Sequence, residues 1–212
     1  MSLDTYANLK LEVAAYLDRS DTSVTSGGID TFIDLAEAWF NRNLRVRQMT
    51  DSTSALTVTS GVITHPTGWL KWKQVVMTTI PIVELDITTE KAALAIDSSN
   101  QPGTPSKVIV RGSSSIVWPL PDSTSSYTYR GIWYTAIPAL SGSNTTNWLL
   151  TAYPDAYLYG SLLQSTARGF QNDGRIQLWQ AAFEQVVGEI NASAADDEMG
   201  QAMTAPVIRN VV

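Results

Sequence analysis

Apolar positions along the chain change their spacing twice. Tyr6, Leu9, Val13 and Tyr16/Leu17 recur every three or four residues, which lays their side chains on one face of a helix. Asp4 stands just before them, where a cap belongs. The run RSDTSVTSGG is made of turn formers and separates this helix from a second. There Ile29, Phe32/Ile33, Ala36, Phe40 and Leu44 keep the same period, and Arg42, Arg45 and Arg47 close it. Cations at that end complement the helix dipole.

From residue 50 to about 138 the pattern becomes strand-like. ALTVTSGVITHP alternates and turns at Ser60-Gly61, as a hairpin does. WKQVVMTT, SKVIVRG, SIVWPL and YTYRGIWYT are short, β-branched and aromatic, and turn residues separate them. One short helix is predicted near TEKAALAI.

The helical period returns over residues 144–193. Asn147 can cap WLLTAY, Tyr153 is held extended by the proline that follows, and Pro154 suits the first position of a new helix. Ala156, Gly160, Leu163, Ala167 and Phe170 form one stripe on that helix, and Leu158 and Leu162 part of a second. A helix that is apolar on two faces lies between neighbours. NDG at 172–174 predicts a tight turn into a last helix capped by Asp173. Its stripe runs Ile176, Trp179, Phe183, Val186/Val187 and Ile190, antiparallel to the helix before it. The tail, DDEMGQAMTAPVIRNVV, loses the period but ends apolar. The expectation is therefore an α+β fold. Residues 1–49 and 144–195 form a four-helix bundle, residues 50–143 an inserted β-rich module, and residues 196–212 an extended C-terminal tail.

Composition narrows what such a fold can do. Charged residues make up only 16% of the 212, whereas Ser and Thr supply 44 of them. Polarity carried by hydroxyls suits broad protein contacts, because interface cores are depleted of charge. A net charge of −6 argues against gripping a nucleic-acid backbone, which needs a basic face. There is no Cys and one His, His65, so thiolate and multi-His metal sites are excluded within one chain. No signal-peptide pattern opens the chain and no apolar run approaches the ~20 residues that cross a bilayer. The expectation is a protein made inside the cell, with no membrane partner.

Candidate chemistry is sparse. No phosphate-binding glycine loop, GxSxG or HExxH occurs. His65, in THPTG, has no nucleophile signature beside it. Glu37, in LAEAWF, is the one acid embedded in a strongly apolar helix. It is expected to face out toward a basic neighbour or to lie between subunits; a glycosidase would need it to work with a second carboxylate in a contrasting environment. Trp69, Trp72, Trp118 and Trp133 fit either packing or a sugar-stacking platform.

One longer pattern is more specific. Trp133-Tyr134, Ile137-Pro138, Leu140, Asn147-Trp148-Leu149-Leu150 and the run PDAYLYG from Pro154 to Gly160 occur in order before the last helix. Together with LAEAWFNRNLRVRQM at 35–49, they resemble the head-to-tail adaptor (connector) proteins of short-tailed tailed bacteriophages. The likeness covers about 1–49 and 118–193 and is weak across 50–117.

The resemblance implies a virion structural protein without catalytic residues, metal or cofactor. It implies a dodecameric ring of copies at the head–tail junction, assembled in the host cytoplasm, between the portal protein and the tail nozzle or tail fibre proteins. DNA would pass through its channel without specific binding. The tail, with Pro206, Val207, Ile208, Arg209, Val211 and Val212, would reach the portal. Trp148, Leu149, Tyr157, Tyr159, Gly160, Trp179 and Phe183 would serve helix packing and the ring interface. The competing expectations are a tail-associated peptidoglycan hydrolase and a carbohydrate-binding tail component.

Overall fold

A computed structural model describes residues 3–18, 28–79, 81–96, 101–122, 127–167 and 174–202. In chain order these residues form helices α1 (Tyr6–Tyr16) and α2 (Gly28–Asn43), then strands β1 (Thr50–Thr53), β2 (Val58–Thr59), β3 (Val62–Thr64), β4 (Trp69–Met77), β5 (Val83–Glu84) and β6 (Asp86–Thr88). Helix α3 (Glu90–Ile96), strands β7 (Lys107–Arg111), β8 (Ser114–Trp118) and β9 (Tyr129–Thr135), and helices α4 (Trp148–Ala152), α5 (Pro154–Thr166) and α6 (Arg175–Ala202) follow. The chain divides into a helical unit, residues 1–48 with 137–212, and a β unit, residues 49–136.

In the helical unit, local chemistry sets the helix ends. Thr5, rather than Asp4, caps α1: its Oγ1 accepts from the Asn8 N–H at 3.3 Å, while Asp4 accepts from the Asn8 side-chain amide. Asn147 caps α4 by accepting from the Leu150 N–H at 2.9 Å. Tyr153 breaks the helix with φ −138° and ψ 65°, and Pro154 restarts it as α5, where its missing N–H costs nothing. Asp155 stands in that first turn, beside the positive end of the dipole.

α5 is the hub. It buries Ala156, Tyr157, Leu158, Gly160, Ser161, Leu162 and Ser165. α1, α2, α4 and α6 all pack on it. The bare Gly160 lets two helices close in: a Cβ there would stand 3.2 Å from both Phe183 and Phe40. Around it Phe40 meets Tyr157 edge-on at 5.3 Å between ring centres, and Trp39 meets Phe183 at 4.9 Å.

This is not the four-helix bundle that the periodicity predicts. A bundle needs each helix to flank two others around one shared core. Here the break at Tyr153-Pro154 gives five helices in the unit among the described residues, and one of them sits inside the rest. Nor does an extended tail begin at residue 196: α6 runs on to Ala202, through the acidic pair. Loss of apolar period marks loss of a packed face, not of helix, and Ala, Glu, Met and Gln sustain a helix without one. Phe170, Asp173 and the tail positions Pro206, Val207, Ile208, Arg209, Val211 and Val212 lie outside the described residues.

The β unit holds two sheets among its described residues, ordered β1-β9-β4-β5 and β2-β3-β8-β7-β6. All pairings are antiparallel except β6 with β7. The β2–β3 hairpin turns on Ser60 and Gly61, both at positive φ (52° and 78°), the geometry that matches strand twist in a two-residue turn. Trp72, Val75, Met77, Tyr129 and Trp133 from the first sheet share one core with Ile63, Val108 and Val117 from the second. α3 packs on β7, and the Arg111 guanidinium grips both carboxylate oxygens of Glu90 there.

Candidate functional site

Three polar constellations stand out, and each is tied to the fold before it is available for chemistry. The first is centred on Glu37. Its Oε1 accepts from the Leu140 backbone N–H at 2.8 Å and from the Tyr157 hydroxyl at 3.0 Å. Tyr157 in turn accepts from Asn147 Nδ2 at 2.7 Å, and the same amide donates to the Pro138 carbonyl at 2.8 Å. Glu37 thus faces inward and pins α2 to α5 and to the chain entering α4. The expectation that it faces out, toward a base or another subunit, is corrected on this point.

Burial raises the Glu37 carboxyl above its ordinary range; the two hydrogen bonds pull the other way, and the Asp34 charge adds to the rise. Burial also raises the Tyr157 hydroxyl, and the Glu37 charge raises it further. A carboxyl whose folded pKa is raised loses stability as pH climbs through that value. Glu37→Gln keeps an oxygen for both donors and removes the charge. It is therefore expected to shift neutral-pH stability by no more than ~1 kcal/mol, whereas Glu37→Ala costs ~2–4 kcal/mol by orphaning the donors. Equal losses for the two variants in thermal melts would contradict the pinning role.

The second constellation links the two sheets. Ser115 Oγ accepts from the Trp72 indole N–H at 2.9 Å and stands 2.8 Å from His65 Nε2. The set is satisfied when neutral His65 accepts the serine proton. His65 also stacks on Trp69, with ring centres 3.6 Å apart. A serine beside a histidine suggests a nucleophile, but Ser115 is fully buried and holds the two rings in place. Trp72, Trp118 and Trp133 are buried too, so they pack rather than form an open stacking platform.

Burial lowers the His65 pKa from 6.5. The folded state therefore favours the neutral ring, and the unfolded state takes up the proton first as pH falls. His65's contribution is full above pH 6.5 and declines below it, toward the lower folded pKa. Thermal midpoints of the β unit are expected to fall over that window, with a smaller fall in His65→Gln. Identical pH profiles would rule the effect out.

The third constellation lies at the open end of α1 and α2. A groove of about 800 Å3 is lined by Tyr6, Ala7, Lys10, Leu11, Ala14, Ile29, Asp30, Asp34 and the 140–142 loop. Lys10 Nζ stands 2.6 Å from Asp30 Oδ1, and the Tyr6 hydroxyl donates to the same oxygen at 2.8 Å. Burial raises the Asp30 carboxyl, but the hydrogen bonds from Lys10 and Tyr6 outweigh it and leave the net value lowered. Both charges are about one-third exposed, so the pair contributes no more than ~1 kcal/mol.

The residues expected for helix packing and ring contact separate by burial. Leu149, Tyr157, Gly160, Trp179 and Phe183 are buried within the chain, and Trp148 and Tyr159 are half-buried. The groove and the Ser115 link carry no sequence signal as sites. Among the described residues no cluster of three or more His, Asp or Glu could hold a metal, and no helix is long and apolar enough to cross a membrane.

Polar groups thus lock each unit from within, while Leu11, Leu35 and Leu178 of the helical unit stay exposed. The SU10 adaptor protein family matches residues 4–209, nearly the whole chain. The chain belongs to that family, a phage adaptor family, and is a structural component of the virion. No curated protein matches it.

Proposed function

We propose that the chain is a head-to-tail adaptor that assembles as a dodecameric ring between the portal and the tail nozzle, lining the channel through which DNA leaves the head. The observation that carries this reading is the family match over residues 4–209. The helical unit would form the ring, with half-buried Trp148 and Tyr159 at or near its contacts, and the β unit would face tail components. Exposed Leu11, Tyr16, Leu35 and Leu178 on the helical unit support a surface meant for covering. A net charge of −6 suits a channel that must not hold phosphate.

Pro206 to Val212 would reach the portal, since an apolar end gains by lying in a groove or along a sheet edge. Imaging portal rings mixed with the full chain, or with a chain ending at Thr204, tests this. Added density on the portal is expected with the full chain and much less with the shortened one. Bare portals in both mixtures would overturn the adaptor reading; equal density would remove the tail's role.

A further inference from the structure

The β2–β3 hairpin lies at an edge of its sheet and is held there by few bonds. β2 pairs with β3 over two residue pairs, and β3 with β8 over three. At the turn, the Val117 N–H donates to the Gly61 carbonyl at 2.9 Å. At the other end the backbone contact is long, with the His65 N–H 3.4 Å from the Ser113 carbonyl. There the His65 side chain fastens the hairpin, its Nε2 atom 2.8 Å from Ser115 Oγ. Ile63, between the two ends, is fully buried in the core that the sheets share.

The fastening has one polarity. Ser115 is fully buried, and its hydroxyl has a single proton to give. It accepts from the Trp72 indole N–H, so its own proton goes to His65 Nε2. An imidazole protonated on both nitrogens has no acceptor left. Both rings would then aim donors at Ser115, and its proton would be buried without a partner, at a cost in free energy. Among the described residues the hydroxyl has no third partner to turn to.

The charged ring can move, because His65 is only half-buried. The Trp69 face, stacked on it at 3.6 Å, attracts an imidazolium and can keep it once Ser115 is released. Among the described residues no ionised side chain steadies the charge in place. Trp69 and Trp72 face His65 from β4 and Ser115 faces it from β8, and burial alone lowers its pKa.

We propose that His65 is an acid-released pin: when its ring takes up a proton, the β2–β3 hairpin loosens from β8 while the rest of the β unit stays folded. Loosening bares the backbone edge of β8 from Ser114 to Ile116, the stretch that β3 covers. A local opening costs less than global unfolding, because fewer contacts break. The sign follows from linkage: the open hairpin binds the proton more readily than the closed one, so falling pH raises the open population. The rise begins near pH 6.5 and levels off below the lower pKa of the closed state. It is distinct from the fall in thermal midpoint, which reads the whole unit.

Hydrogen exchange followed by mass spectrometry tests this at about pH 8 and about pH 5, with intrinsic rates corrected for. In the parent chain, protection over residues 58–64 is expected to fall at least about threefold at the acid pH, while β4, β7 and β9 keep theirs. His65→Gln keeps an acceptor for Ser115 and cannot take a charge, so its hairpin protection should not change with pH. Ser115→Ala removes the pin and leaves His65 titratable; its hairpin should exchange faster than the parent's at the higher pH and change little on acidification.

An acid-induced loss in His65→Gln as large as the parent's would overturn the proposal. So would a loss spread evenly over both sheets, or none in the parent. Should His65→Gln fail to fold, Ser115→Ala decides alone: an acid-induced loss equal to the parent's would show that the Ser115 bond is not the pin.

Discussion

Trp72→Ala is expected to lower stability by ~3–5 kcal/mol, the range for emptying a buried aromatic site. Trp72 is 1% exposed and sits between the two sheets of the β unit. Its ring meets Trp133 edge-on at 5.8 Å, and a Cβ on Gly131 would fall 2.9 Å from it. The strand opposite has thus given up a side chain to admit the indole. Truncation leaves that space unfilled and frees Ser115 from one of its two ring partners. Trp72→Phe keeps most of the apolar area and loses only the N–H donor, so ~1–2 kcal/mol is expected. Urea unfolding followed by circular dichroism reads both, and an unchanged midpoint for Trp72→Ala would show that the sheets are not held together there.

Tyr157→Ala is expected to be as severe in the helical unit, at ~3–5 kcal/mol. The side chain is fully buried on the hub helix and packs against Phe40. Its hydroxyl also relays a chain of hydrogen bonds from Asn147 to Glu37. Removing it opens a cavity and leaves a buried carboxylate with one donor fewer. Tyr157→Phe separates the two effects: the ring stays, and the lost relay costs ~1–3 kcal/mol. If Tyr157→Phe were as damaging as Tyr157→Ala, packing at the hub would not be what holds the unit. If it were harmless, Glu37 would be satisfied by other means.

What was legible in the sequence was what neighbours in the chain decide. The cap at Asn147, the restart at Pro154, the Ser60-Gly61 turn and the apolar face of α2 all depend on residues within a few positions of each other. Glu37 was not legible, because its partners lie 103 and 120 residues away. Nothing in SSSIVW distinguishes Ser115, which is bound to a histidine 50 residues earlier. The two apolar faces of α5 were visible, but not what covers them. The resemblance assigned that cover to sister copies, and α1, α2 and α6 of the same chain supply it.

That finding leaves Leu11, Leu35 and Leu178 as leucines of the helical unit that stay exposed. Leu178 falls off the Trp179–Phe183–Val186–Ile190 stripe, and Leu11 falls off the Leu9–Val13 stripe. An off-stripe leucine is the sequence signal for a surface to be covered by something else. One such residue needs no explanation, since single exposed apolar side chains are common.

The ring itself is tested most directly by native mass spectrometry of portal rings saturated with this chain. One dominant species is predicted, heavier than the bare portal by a closed set of adaptor copies and without partly filled intermediates. A ladder of independently bound single copies, or no added mass, would contradict a ring-forming adaptor.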